Sequence, residues 1–102
     1  MNNAYTAYFS SQKHLQEATQ YLQQKSYCSA ASILSETIDN ARCAAEEAAL
    51  TANAIQTYTT ASVLLIAVYI RLNNQFLAQE KQEDASRQLE KWRTTSNSRQ
   101  VK

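Results

Sequence analysis

From Asn3 to Lys25 the apolar positions fall on one helical stripe. Ala4, Tyr8, Leu15, Ala18 and Leu22 alternate at spacings of four and three, with Ser11 in the remaining slot. That is the period of a helix burying one side. Tyr5, Phe9 and Tyr21 widen the stripe. Asn2 or Asn3 is the expected cap, because a short side-chain oxygen there accepts from orphan backbone N–H groups. Ser26 is the expected turn and N-cap of a second helix. From there the pattern becomes regular: Tyr27, Ala31, Leu34, Ile38, Ala41, Ala45, Ala48, Ala52 and Ile55 keep the four-three alternation. Such a run is a heptad seam. Half of the residues from Ala41 to Ala54 are alanine, which leaves little side chain to hold two helices apart. A close helix approach is therefore expected there, with Ala45 and Ala48 inside it. Glu36, Asp39, Arg42 and Glu46 lie on the other face, and Asp39/Arg42 and Arg42/Glu46 have the spacing of solvated helical ion pairs.

The segment 51–60 (TANAIQTYTT) is rich in Asn and Thr, which compete with helical hydrogen bonding. It predicts a turn near Thr57–Thr60. A third helix then covers Ala61 to Leu72, apolar nearly all round, so it needs cover on several sides. Asn73-Asn74 reads as a helix end followed by a new cap; one continuous helix is the alternative. A fourth helix runs from Gln75 to Arg93, with Phe76, Leu77, Ala78, Ala85, Leu89 and Trp92 on its apolar side and a Glu83/Arg87 pair. The prediction is an all-α fold of three to four antiparallel helices in a helical-hairpin bundle. Residues 1–93 form a single helical domain, and 94–102 a flexible polar, basic tail.

Composition narrows the chemistry. The 102 residues include no glycine and no proline, where average usage of roughly 7% and 5% would give about twelve. Glycine-rich phosphate loops, Rossmann turns, nucleophile elbows and EF-hand loops are thereby excluded. The 16 alanines and 11 glutamines favour helix instead. A net charge of +1 gives no global field to draw nucleic acid or an anionic membrane. The basic Lys91, Arg93, Arg99 and Lys102 follow Glu80, Glu83, Asp84 and Glu90, which oppose phosphate binding. Neither nucleic acid nor membrane is an expected partner. The longest apolar run, Ala61 to Ile70, is about half a membrane span, and reads as a buried helix. Met1 to Gln12 carries no basic side chain and no apolar h-region, so a cytoplasmic protein is expected.

Cys28 and Cys43 on one helix lie about 22 Å apart by rise, too far for a disulfide. Two buried thiols are expected. The sharper reading makes Cys28 a reactive thiol, in the first turn of the second helix beside Lys25. His14 is the single histidine, and Ser11 stands where a Glu-x-x-His metal motif needs glutamate. In a hairpin turning near Ser26, His14 faces the Ile38 region, roughly 15 Å from Cys28, too far for proton transfer. It is read as an exposed surface residue. Glu46 and Glu47 point to different faces. No catalytic, cofactor-binding or metal-ligating set is expected, and no cofactor. What remains is apolar helical surface, which suits partner helices, and tyrosines that suit interfaces. The candidate partner-binding residues are Tyr5, Tyr8, Phe9, Val63, Ile66, Tyr69, Ile70, Phe76 and Trp92.

Residues 18–38 resemble a tetratricopeptide hairpin. Ala18 and Tyr21 stand where that family's first helix has its small residue and aromatic, and Tyr27, Ala30, Ala31 and Leu34 match its second helix. The turn glycine, the closing proline and a second copy at the family period are missing. The resemblance implies stacked hairpins holding a client in a groove, as in small type III secretion chaperones of similar size. The expected function is a non-enzymatic protein-binding adaptor or secretion chaperone that buries an apolar helical segment of a partner. The alternatives are a self-associating helical structural protein and a small secreted effector or inhibitor.

Overall fold

The computed structural model describes residues 3–100, with side chains as far as Thr94. It contains four helices, α1 (Ala4–Gln23), α2 (Tyr27–Ala44), α3 (Thr51–Arg71) and α4 (Gln75–Gln100), and no strand among the described residues. The fold is all-α, as the periodicity predicts.

Asn3 starts α1: its backbone is extended, and its Oδ1 accepts from the Thr6 N–H at 2.8 Å. Asn2 lies outside the described residues. Ser11, the polar slot in the α1 stripe, is fully buried, and its hydroxyl donates to the Tyr8 carbonyl at 2.6 Å. A hydroxyl satisfied within its own helix can sit in a core without the penalty of an unpaired polar group. The α1–α2 and α3–α4 turns have the same construction. Lys25 (φ 60°) and Asn73 (φ 61°) take the left-handed conformation. The Ser26 N–H donates to the Tyr21 carbonyl, and the Asn74 N–H to the Tyr69 carbonyl, each at 2.8 Å. These are the bonds with which a helix usually closes on glycine. Asn74 also caps α4, its Oδ1 accepting from the Leu77 N–H.

The middle of the chain departs from the sequence reading. No turn occurs at Thr57–Thr60; α3 runs unbroken through it. The Thr59 hydroxyl donates back to the Ile55 carbonyl, and buried Thr57 accepts from the Gln12 amide of α1 at 2.7 Å. Ala54, Tyr58 and Ala61 are buried on the same side, so packing overrides the poor propensity of Asn and Thr. The reversal lies earlier, after Ala44. A 3₁₀ turn, Ala48–Leu50, leads into α3. The Thr51 hydroxyl is shared between the Ala45 carbonyl at 2.8 Å and the Glu47 carbonyl at 3.0 Å. Leu50 anchors the corner by packing with Ala7, Ala44, Ala45 and Ala54. The heptad from Tyr27 to Ile55 therefore spans two helices. Ala45 is buried as expected, whereas Ala48 is exposed.

Each helix packs on its sequence neighbours: α1 on α2, α2 on α3, α3 on α4, with a smaller contact between α1 and α3. The result is an elongated stack of 47 × 28 × 21 Å. Its main core joins Ala18, Ala30, Leu34, Ile38, Ala41, Tyr58, Ala61, Leu65, Val68 and Ala85. Alanines at 18, 30, 41, 44, 54 and 61 are completely covered, so the helices meet closely through small residues on all three of α1, α2 and α3. The Asp39–Arg42 pair forms at 4.0 Å. Arg87 pairs with Asp84 rather than Glu83, which instead accepts from the Gln79 amide. The helix expected to end at Arg93 continues to Gln100, so the segment assigned to a tail is helical that far; residues 101–102 lie outside the described residues. Adding the 3₁₀ turn to α3 gives Ala48–Arg71, 24 residues whose most apolar 18-residue stretch has a mean hydropathy of 1.2, long and apolar enough to cross a membrane. The ten-residue apolar run had suggested half that length; the missing turn at Thr57–Thr60 accounts for the difference.

Candidate functional site

Four helices in a row cannot cover a helix that is apolar all round. Ala61, Leu65 and Val68 of α3 face the core, 0–1% exposed. At 100° per residue, Val63 and Ile70 lie diametrically opposite, and they are 60% and 55% exposed. Ile66, one turn between them, is half-buried. Ala67 and Thr60 complete this outward side and are exposed.

Beside the stripe runs an open groove of about 710 Å³ between α3 and α4. Ile66 and Ile70 form its apolar wall, and Gln75, Gln79, Gln82 and Glu83 its polar one. Glutamines at spacings of four and three put amide groups along one side of α4. That periodicity is visible in the sequence, but it marks only a polar face until a groove beside it is known. Phe76, 75% exposed, stands at the head of α4 beside Gln79, Glu80 and Glu83.

The other candidate residues separate from this face. Tyr5 and Phe9 are exposed on α1, Phe9 to 70%. They sit near the start of α1, about 20 Å along the helix from the α1–α2 turn. That turn and Phe76 mark the same end of the antiparallel stack, so the α1 aromatics and the α3–α4 face do not form one site. Tyr8 packs on the corner cluster of Ala7 and Leu50, and Tyr69 on the main core. Trp92 packs against both clusters and meets the Tyr58 ring edge-on, centroids 5.0 Å apart. These three are structural anchors rather than free surface.

The chemical candidates stay apart as well. Cys28 and Cys43 are free thiols, but Cys28 is exposed and Cys43 half-buried, which corrects the expectation of two buried ones. His14 is half-buried, not exposed, because the antiparallel hairpin sets it over Glu36, with Nε2 3.1 Å from the carboxylate. Among the described residues no three His, Cys, Asp or Glu side chains gather as a metal site requires. Burial pushes the Tyr58 phenol above its ordinary range, opposed by the Arg42 charge; its ring is part of the core. The chemistry on offer is therefore apolar contact along α3, flanked by amide donors and acceptors. No family model, no curated protein and no solved structure matches this chain.

Proposed function

We propose that the protein is a non-enzymatic, cytoplasmic adaptor or secretion chaperone that buries an apolar helical segment of a partner protein along α3. The observation carrying this reading is the outward stripe of Val63, Ile66 and Ile70, which an ordinary monomer core would have covered. A partner helix with apolar residues at i, i+3 and i+7 matches the spacing of the stripe. The glutamines of α4 give its polar flank hydrogen-bonding groups in place of water.

Co-expression with the products of neighbouring genes tests the reading. One of them is expected to co-purify in a defined ratio. The Val63→Glu/Ile70→Glu double variant is expected to lose that partner, by about a hundredfold in affinity if each position supplies 1–2 kcal/mol, while melting at an unchanged temperature. Retention of the partner by the double variant would remove α3 as the site. A chain that captures none of its neighbours would remove the adaptor reading.

A further inference from the structure

We infer that the cleft between α2 and α4 binds a small, multiply charged phosphate compound. The cleft shares no residue with the outward stripe of α3, so the inference does not depend on the adaptor reading.

Positive charge is concentrated there. The chain as a whole has a formal net charge of only +1, with ten Lys and Arg residues against nine Asp and Glu. Four of those ten, Arg42 of α2 and Lys81, Arg87 and Lys91 of α4, line one cavity of about 340 Å³. A single carboxylate, Asp84, lines it with them. The other acidic residues that precede the basic ones along α4 are sorted elsewhere. Glu83 lines the groove between α3 and α4, Glu80 stands beside Phe76, and Glu90 pairs with Arg93. Asp39 and Glu46 edge the adjoining recess, beyond Arg42. A concave surface on which cations outnumber carboxylates focuses a positive potential and raises the local concentration of anions.

The layout of donors selects the kind of anion. Lys81, Asp84, Gln88 and Lys91 follow one another at spacings of three and four, along one side of α4, over about 15 Å. Arg42 meets them from α2. An occupant is therefore contacted from two sides and along its length. A tetrahedral phosphate presents oxygens in both directions, whereas a planar carboxylate aims its two oxygens one way. A chain of phosphates continues the same contacts toward Lys81. The Arg42–Asp39 and Arg87–Asp84 pairs are solvent-exposed, and pairs of that kind hold a guanidinium only weakly, so both arginines can turn to a ligand. Buried Tyr58 lines the cleft from α3. Burial pushes its phenol above the ordinary range, so the hydroxyl keeps its proton at neutral pH and remains a donor.

Isothermal titration of the full chain with tripolyphosphate, pyrophosphate, inorganic phosphate and citrate tests the inference. Tripolyphosphate is expected to bind tightest of the four, at one site per chain, and more weakly as salt is raised. Arg42→Gln/Lys81→Gln should weaken it by about tenfold or more. Lys13→Gln/Arg71→Gln removes the same charge from exposed positions outside the cleft, and should change the affinity by less than about twofold. Asp84→Asn should strengthen binding, a gain that damage to the fold would not produce. A chain that binds no tripolyphosphate up to about 10 mM overturns the proposal. So do equal losses in the two double variants, because attraction would then follow net charge rather than the cleft. Citrate binding as tightly as tripolyphosphate overturns phosphate as the class, and weaker binding by Asp84→Asn overturns the role of the cleft's charge.

Discussion

Lys25 and Asn73 hold the two left-handed turns that glycine would ordinarily occupy. For asparagine the strain is small, because its short polar side chain tolerates that region; for lysine the Cβ clash remains. Replacing Lys25 with glycine is expected to raise stability by about 0.5–1 kcal/mol in urea titration, with no change in helix content. The absence of glycine removes the usual occupant of such turns. It does not exclude φ > 0. Asn73 was readable as a helix end, since asparagine is a known visitor to that conformation. Lys25 was not, because nothing in a lysine side chain marks the turn that Ser26 and Tyr21 close around it. Tyr58 is the other residue with a measurable signature. Burial raises its phenol pKa in the folded protein, so the unfolded chain ionises first. Its contribution to stability is complete below the ordinary tyrosine value near 10 and is lost as pH rises from there through the raised folded value. Thermal melts between about pH 9 and 11 should show stability falling with pH, and Tyr58→Phe should flatten that part of the curve.

The break between α2 and α3 shows why periodicity located the helices but misplaced one reversal. A heptad pattern reports which side of a helix is apolar; when the residues on both sides of a bend are alanine, the same pattern continues through it. Ala45 is buried on α2, Ala48 exposed in the 3₁₀ turn and Ala52 exposed on α3, although all three fit one seam. The Thr51 hydroxyl and the Leu50 anchor that build the corner are single residues without a repeating signal. Ala48 and Ala61 consequently respond to leucine in opposite ways. Ala61→Leu forces four-carbon bulk into a fully covered site between helices and is expected to lower stability by about 1–3 kcal/mol. Ala48→Leu should stay within about 0.5 kcal/mol of the wild type. Equal losses in chemical denaturation would mean that the corner is packed rather than exposed.

The order of the helices in space decides which apolar residues become surface, and no residue encodes that order by itself. A closed bundle would have covered Val63 and Ile70 and made them core; the open stack exposes them. The large apolar side chains of α3 and α4 accordingly divide, with Tyr69 and Trp92 packed inward and Ile70 and Phe76 exposed. Stacking by sequence neighbours also shapes how the chain reaches this state. Contacts between adjacent helices close short loops, and proteins rich in such local contacts fold in microseconds to milliseconds. The α1–α2 hairpin can assemble before α4 has been synthesised. Opening need not be all-or-none either: α4 keeps only Ala78 and Ala85 well buried among its described side chains, whereas α2 and α3 hold most of the fully covered residues. Protection of backbone amides should therefore be deepest in α2 and α3 and shallow in α4, which can swing away and return while the rest of the protein stays folded.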